Sequence, residues 1–147
     1  GVETKFTEKH IILKKVRNNI SEISLDLSPN PDLAQTICVT CLGLKMKCTL
    51  TGLHTLKIKE TDRLIALKNE LSKFNLNVNI TSDSISFDNK SSFKSIIEIN
   101  TYDDHRMAMS FACLAVKTNI IICNPSVVSK SYNSFWLDFE KIGIISR

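Results

Sequence analysis

Hydrophobic positions along this chain alternate, then step to helical spacing, and the change happens more than once. Residues 4–16 read as two short strands around the polar Thr7, Glu8 and Lys9. Residues 22–27 alternate cleanly, with Ile23, Leu25 and Leu27 on one face, as a half-buried strand requires. Pro29, Asn30 and Pro31 stop that strand and start a helix, with Asn30 as N-cap and Pro31 in the first helical position. Leu33, Ile37 and Cys41 then recur at helical spacing, and Ala34 and Cys38 widen the stripe. Met46, Cys48 and Leu50 return to alternation, Gly52 closes the strand, and a short extended piece runs through Leu56 and Ile58. From Thr61 the period is helical again. Leu64, Leu67, Leu71 and Phe74 share a face, and Asn75 is placed to end the helix in a left-handed conformation.

Residues 78–80 and 85–87, joined through Ser82, Asp83 and Ser84, predict a hairpin. The order then recurs: a strand over 96–99, a helix over 104–116, a strand over 120–123 and a helix over 131–141. Gly143 stops the last helix, and Ile144 and Ile145 begin a further strand. Two strand-helix-strand-helix units, the first followed by a hairpin, define an α/β domain with helices packed on sheet.

Composition narrows the function. With 147 residues the chain holds one domain's worth of material. Its net charge of +4 is mild, the basic residues are dispersed, and two tyrosines and one tryptophan offer little for base stacking. That argues against a nucleic-acid partner. No apolar run approaches the length of a membrane span. Five cysteines, an odd number, exclude a complete disulfide framework. Cys38 and Cys41 form a C-x-x-C with Cys48 nearby, which raises a metal or redox reading, but no second such pair completes a four-ligand zinc site. In a helical pattern these cysteines read as small buried hydrophobes, in a protein suited to a reducing compartment. The chain starts at Gly1, already in strand-like sequence, which fits a piece cut from a longer protein.

Charge collects where strands give way to helices. The four junctions carry Asp32; Lys59, Glu60 and Arg63; Arg106; and Lys130. An arginine in a first helical turn opposes the helix dipole, which favours acids there. It makes sense if an anion docks against it and the free amides. Converging, these residues would form a cationic pocket with two carboxylates, the latter available as acid and base. Charge-assisted hydrogen bonds contribute roughly 1.5–3 kcal/mol each, so three would support micromolar binding of a small anion. Local pairing is the competing account. On it, Asp32 and Asp62 complement helix dipoles, Arg63 pairs with Asp62 or Glu60, and Arg106 pairs with Asp103. His105 then caps a helix or sits at the core edge, Lys130 is a loop lysine and Trp136 belongs to the core.

Lys59-Glu60-Thr61-Asp62-Arg63-Leu64, followed by Asp104-His105-Arg106-Met107-Ala108-Met109, closely resembles the signature of the 3-phosphoshikimate 1-carboxyvinyltransferases, the EPSP synthases. Pro31-Asp32-Leu33-Ala34-Gln35-Thr36 and Val128-Ser129-Lys130-Ser131 extend the likeness over residues 21–142. The resemblance implies part of the C-terminal domain of a two-domain transferase with an inside-out α/β fold. Residues 1–20 would be the remnant hairpin of a preceding unit, 21–90 one folding unit and 94–147 another. It implies transfer of the carboxyvinyl group of phosphoenolpyruvate to the 5-hydroxyl of shikimate 3-phosphate, with no metal or organic cofactor, in a cytoplasmic monomer.

By position, Asp32 corresponds to the proton acceptor on that hydroxyl and Glu60 to the carboxylate that protonates the methylene carbon. Lys59 and Thr55 correspond to contacts with shikimate 3-phosphate, and Arg63, Arg106 and Lys130 to those with phosphoenolpyruvate. Thr55 stands where the family often carries asparagine, and Tyr132-Asn133 replaces a commoner Phe-Pro. The missing N-terminal domain would supply the other half of the cleft, leaving this piece inactive alone. Two other readings stay open: a carboxyvinyltransferase acting on UDP-N-acetylglucosamine, and a non-catalytic module that binds anions or nucleic acid.

Overall fold

The computed structural model describes residues 1–17, 19–59, 61–88 and 90–144. Its first element is an antiparallel hairpin of β1 (Val2–Phe6) and β2 (Ile11–Lys15), whose ten residues are all exposed. The first unit then runs β3 (Glu22–Asp26), α1 (Ala34–Leu44), β4 (Lys47–Thr51), α2 (Arg63–Ser72), β5 (Val78–Ile80) and β6 (Ile85–Phe87). Its four strands lie in the order β3-β4-β6-β5, with only β3 and β4 parallel. A second unit repeats the opening of the first: β7 (Ile96–Ile99), α3 (His105–Ala112), β8 (Asn119–Ile122) and α4 (Phe135–Lys141), with β7 and β8 parallel.

Alternation explains the sheet. Cys48 and Leu50 of β4, Val78 of β5, and Ile85 and Phe87 of β6 face the helices and are buried, while Lys47, Thr49, Thr51 and Asn79 face out. In α2, Leu64, Leu67 and Leu71 are fully covered, as is Phe74 beyond its end, as their spacing predicts. Each such side chain contributes about 1.5–3 kcal/mol through burial. Lys45 (φ 56) and Asn75 (φ 61) take the left-handed conformation after α1 and α2 in place of glycine. Gly52 (φ 74) cannot be replaced easily, because a Cβ there would collide with Ser28 and Asp26.

Six local expectations need correction. Asn30 precedes a 3₁₀ turn, Pro31–Leu33, rather than the α-helix itself, and its side chain makes no capping bond. Leu33 is 48% exposed, and the buried stripe of α1 is Ala34, Gln35, Cys38, Val39, Cys41 and Leu42. The piece through Leu56 and Ile58 is a 3₁₀ helix, His54–Ile58, not an extended segment. Leu53 and Leu56 are buried three residues apart, the 3₁₀ period, whereas Ile58 is 83% exposed. The third helix gives way to a 3₁₀ turn at Cys113–Val116, and the last begins at Phe135 after a 3₁₀ stretch, Pro125–Lys130. Ile144 is not in a strand, and Ile145 lies outside the described residues.

The cysteines behave as small apolar groups. Cys38, Cys41 and Cys48 are at most 2% exposed. Hydrogen bonding between thiols, to Cys48 for Cys41 and to Cys38 for Cys48, together with burial pushes both thiols well above the ordinary range. They stay protonated and poorly nucleophilic.

Candidate active site

Three helix entries meet. The 3₁₀ turn Pro31–Leu33 carries Asp32. Asp62 caps α2, accepting from the amides of Leu64 (3.1 Å) and Ile65 (3.2 Å), which makes Arg63 the first helical residue. Asp104 caps α3, accepting from the Arg106 amide at 2.8 Å.

Asp32 is where the cations gather. Arg63 Nη1 donates to its Oδ1 at 2.8 Å, and Arg106 Nη2 donates to its Oδ2 at 3.0 Å. Lys59 Nζ stands 3.6 Å from Oδ1, and Arg106 Nη1 also reaches the Asp32 carbonyl at 3.3 Å. Arg63 Nε donates to Asp104 Oδ2 at 2.5 Å, inside the protein: Arg63 is 2% exposed and Asp104 0%. Lys130 Nζ donates instead to the Asp103 carbonyl at 2.9 Å. Within this group three cations face the carboxylates of Asp32 and Asp104, leaving a net charge of +1 from these side chains.

The arginines bond acids well beyond their sequence neighbours. Arg63 bonds acids 31 and 41 positions away rather than Asp62, and Arg106 bonds Asp32, 74 positions away, rather than Asp103. Asp103 instead accepts from Asn124 Nδ2 at 2.8 Å. Glu60 lies outside the described residues. The expected functional residues therefore divide into a buried strut, Arg63, and a half-exposed group, since the side chains of Lys59, Arg106 and Asp32 are 35%, 36% and 37% exposed. Trp136 is half-buried, its indole donating to the Pro125 carbonyl at 3.0 Å.

Sequence reasoning missed Asp104, although an aspartate directly before a helical run is an N-cap signal. It also missed Gln35, wholly buried three residues after Asp32, whose amide has no hydrogen-bond partner among the described residues. The Thr55 hydroxyl and His105 Nδ1 are likewise covered and unpartnered. Each such group costs about 1–3 kcal/mol. All three occur in the same stretches as the charged residues. A hollow of about 800 Å³ lies elsewhere, on the outer face of the four-stranded sheet, lined by Ser24, Thr49, Asn79 and Ser86 among others.

Two arginines and a lysine are drawn around one aspartate at the helix entries of a repeated α/β unit. The sequence matches the family model of EPSP synthase (3-phosphoshikimate 1-carboxyvinyltransferase) over residues 1–139, and the chain belongs to that family. It is similar to the 3-phosphoshikimate 1-carboxyvinyltransferase of Bacteroides fragilis (strain YCH46), with 45% identity over 97% of this chain and 36% of that protein. The corresponding protein of Buchnera aphidicola subsp. Schizaphis graminum is 36% identical over 85% of this chain and 29% of its own length. EPSP synthase from Acinetobacter baumannii shares the fold, with a TM-score of 0.74 at 22% identity over 98% of this chain and 36% of that one. The chain thus spans about a third of the length of the curated relatives it matches. No helix among the described residues is long and apolar enough to cross a membrane.

Proposed function

We propose that the whole protein transfers the carboxyvinyl group of phosphoenolpyruvate to the 5-hydroxyl of shikimate 3-phosphate and releases phosphate, in the cytoplasm, on the route to chorismate. The convergence of Lys59, Arg63 and Arg106 on Asp32 supports this reading most directly. Phosphoenolpyruvate is a small, multiply charged anion and needs several cations at once. Arg106 and Lys130 hold it, and Arg63 braces the group from beneath. Asp32 takes the proton of the acceptor hydroxyl, and Lys59 and Thr55 contact shikimate 3-phosphate. Glu60 delivers a proton to the methylene carbon. The hydroxyl oxygen bonds to the central carbon of phosphoenolpyruvate. The tetrahedral adduct then returns a methyl proton to Glu60 as its bond to phosphate breaks, restoring the double bond with no metal or organic cofactor. Residues 1–20 end one folding unit, and 21–90 and 94–147 form two more of the C-terminal domain. An N-terminal domain completes the cleft of a monomeric enzyme.

The whole protein should release phosphate only when both substrates are present. This chain alone should release none, and the remaining part of the protein added in trans should restore turnover. Both substrates should outcompete DNA, whose binding collapses steeply with salt. Failure of the whole protein to release phosphate from the two substrates refutes the reading.

A further inference from the structure

Helix α2 carries two buried charges, Arg63 and Glu70, on the stripe otherwise filled by Leu64, Leu67 and Leu71. Seven residues make two helical turns, or about 10 Å along the axis. Both charges grip the same short loop between β7 and α3. Arg63 holds its downstream end through Asp104. Glu70, 0% exposed, holds the upstream end: the Asn100 amide donates to its Oε2 at 3.0 Å, and the Tyr102 hydroxyl donates to its Oε1 at 2.8 Å. Lys73 Nζ donates to Oε2 at 2.6 Å and to the Glu98 carbonyl at 2.9 Å, so both oxygens of the buried carboxylate have partners.

The loop needs such a grip. Tyr102 (φ 53) and Asp103 (φ 55) are consecutive non-glycine residues in the left-handed region. Each costs of order 1–3 kcal/mol and persists only where its surroundings enforce it. This double turn aims α3, putting Arg106 on Asp32 and offering the Asp103 carbonyl to Lys130. Burial pushes the Tyr102 phenol upward, a hydrogen bond with Asn69 opposes this, and the Glu70 carboxylate adds to the rise.

We propose that Glu70 is a positioning residue for the anion site: from within α2 it holds the strained Tyr102-Asp103 turn in the shape that sets Arg106 against Asp32. The part of this that concerns catalysis rests on the functional reading above. In the whole protein, Glu70→Ala should raise the KM for phosphoenolpyruvate about tenfold or more while the KM for shikimate 3-phosphate stays within about twofold. Glu70→Gln should largely restore it, because the amide oxygen can accept from Asn100 and Lys73 while the NH2 group donates to the Tyr102 oxygen. A merely structural Glu70 would lower the melting temperature and leave both KM values unchanged, and that result overturns the proposal. If Glu70→Ala does not fold, Tyr102→Phe carries the test, with a rise of about threefold expected and no rise overturning it. Amide exchange across residues 100–107 gives a reading that needs no substrate. Faster exchange there in the variant supports the clamp even if the wild type proves inactive on these substrates, and unchanged exchange refutes it.

Discussion

Replacing Asp32 by asparagine should cut turnover of the whole protein by about 10²- to 10⁴-fold, the usual contribution of a positioned general base. Phosphoenolpyruvate should bind at least as tightly as before. The two effects have one origin. Asp32 occupies Arg63, Arg106 and Lys59 as their shared counter-ion, and an incoming anion must compete with it for the half-exposed pair. Asparagine keeps the shape and an acceptor oxygen but loses the charge, so it releases the cations to the ligand while removing the group that takes the hydroxyl proton. Steady-state kinetics and calorimetric titration measure the two quantities separately. Near-normal turnover would remove Asp32 from the chemistry, and a large loss of phosphoenolpyruvate binding would show that the aspartate organises the cations rather than competing for them.

The largest stability effect is expected at Arg63. Arg63→Met keeps most of the side-chain length and removes the only guanidinium bonded to the wholly buried Asp104 carboxylate among the described residues. Breaking a buried pair from one side typically costs about 3–5 kcal/mol, because the remaining charge is stranded. That is a large part of the 5–15 kcal/mol that holds a domain of ordinary stability. Asp104→Asn in the same chain should recover much of the loss. Asparagine still caps α3 and leaves no unpaired charge. Urea unfolding of the two single variants and the double variant gives the coupling directly. If the single changes add without coupling, the pair is not what locks α2 to α3.

Both predictions depend on contacts that the sequence displays only in part. Element order was legible because the periods are clean: alternation at Cys48 and Leu50, helical spacing at Leu64, Leu67 and Leu71. The segment before Lys59 was misread because Leu56 and Ile58 imitate a strand, whereas the buried pair is Leu53 and Leu56. Leu33 misled for a similar reason, since an apolar residue ahead of a helix need not share its buried face. The site's membership was visible in the cations placed against helix dipoles. Its wiring was not: nearest-neighbour reasoning looked to acids within three positions, and folding bonds the arginines to acids 31 to 74 positions away. Glu70 left a signal that went unused, a carboxylate within the Leu64, Leu67, Leu71 stripe, where a charge must find buried partners.

On this reading, cations from separate stretches of this chain enclose one small acidic metabolite. A crystal structure of the whole protein with shikimate 3-phosphate and a non-reacting phosphoenolpyruvate analogue tests it most directly. The analogue's phosphate or carboxylate oxygens should lie about 3 Å from Arg106 and Lys130, with the acceptor hydroxyl on Asp32. An analogue bound elsewhere, with Arg106 still held by Asp32, would rule out this enclosure.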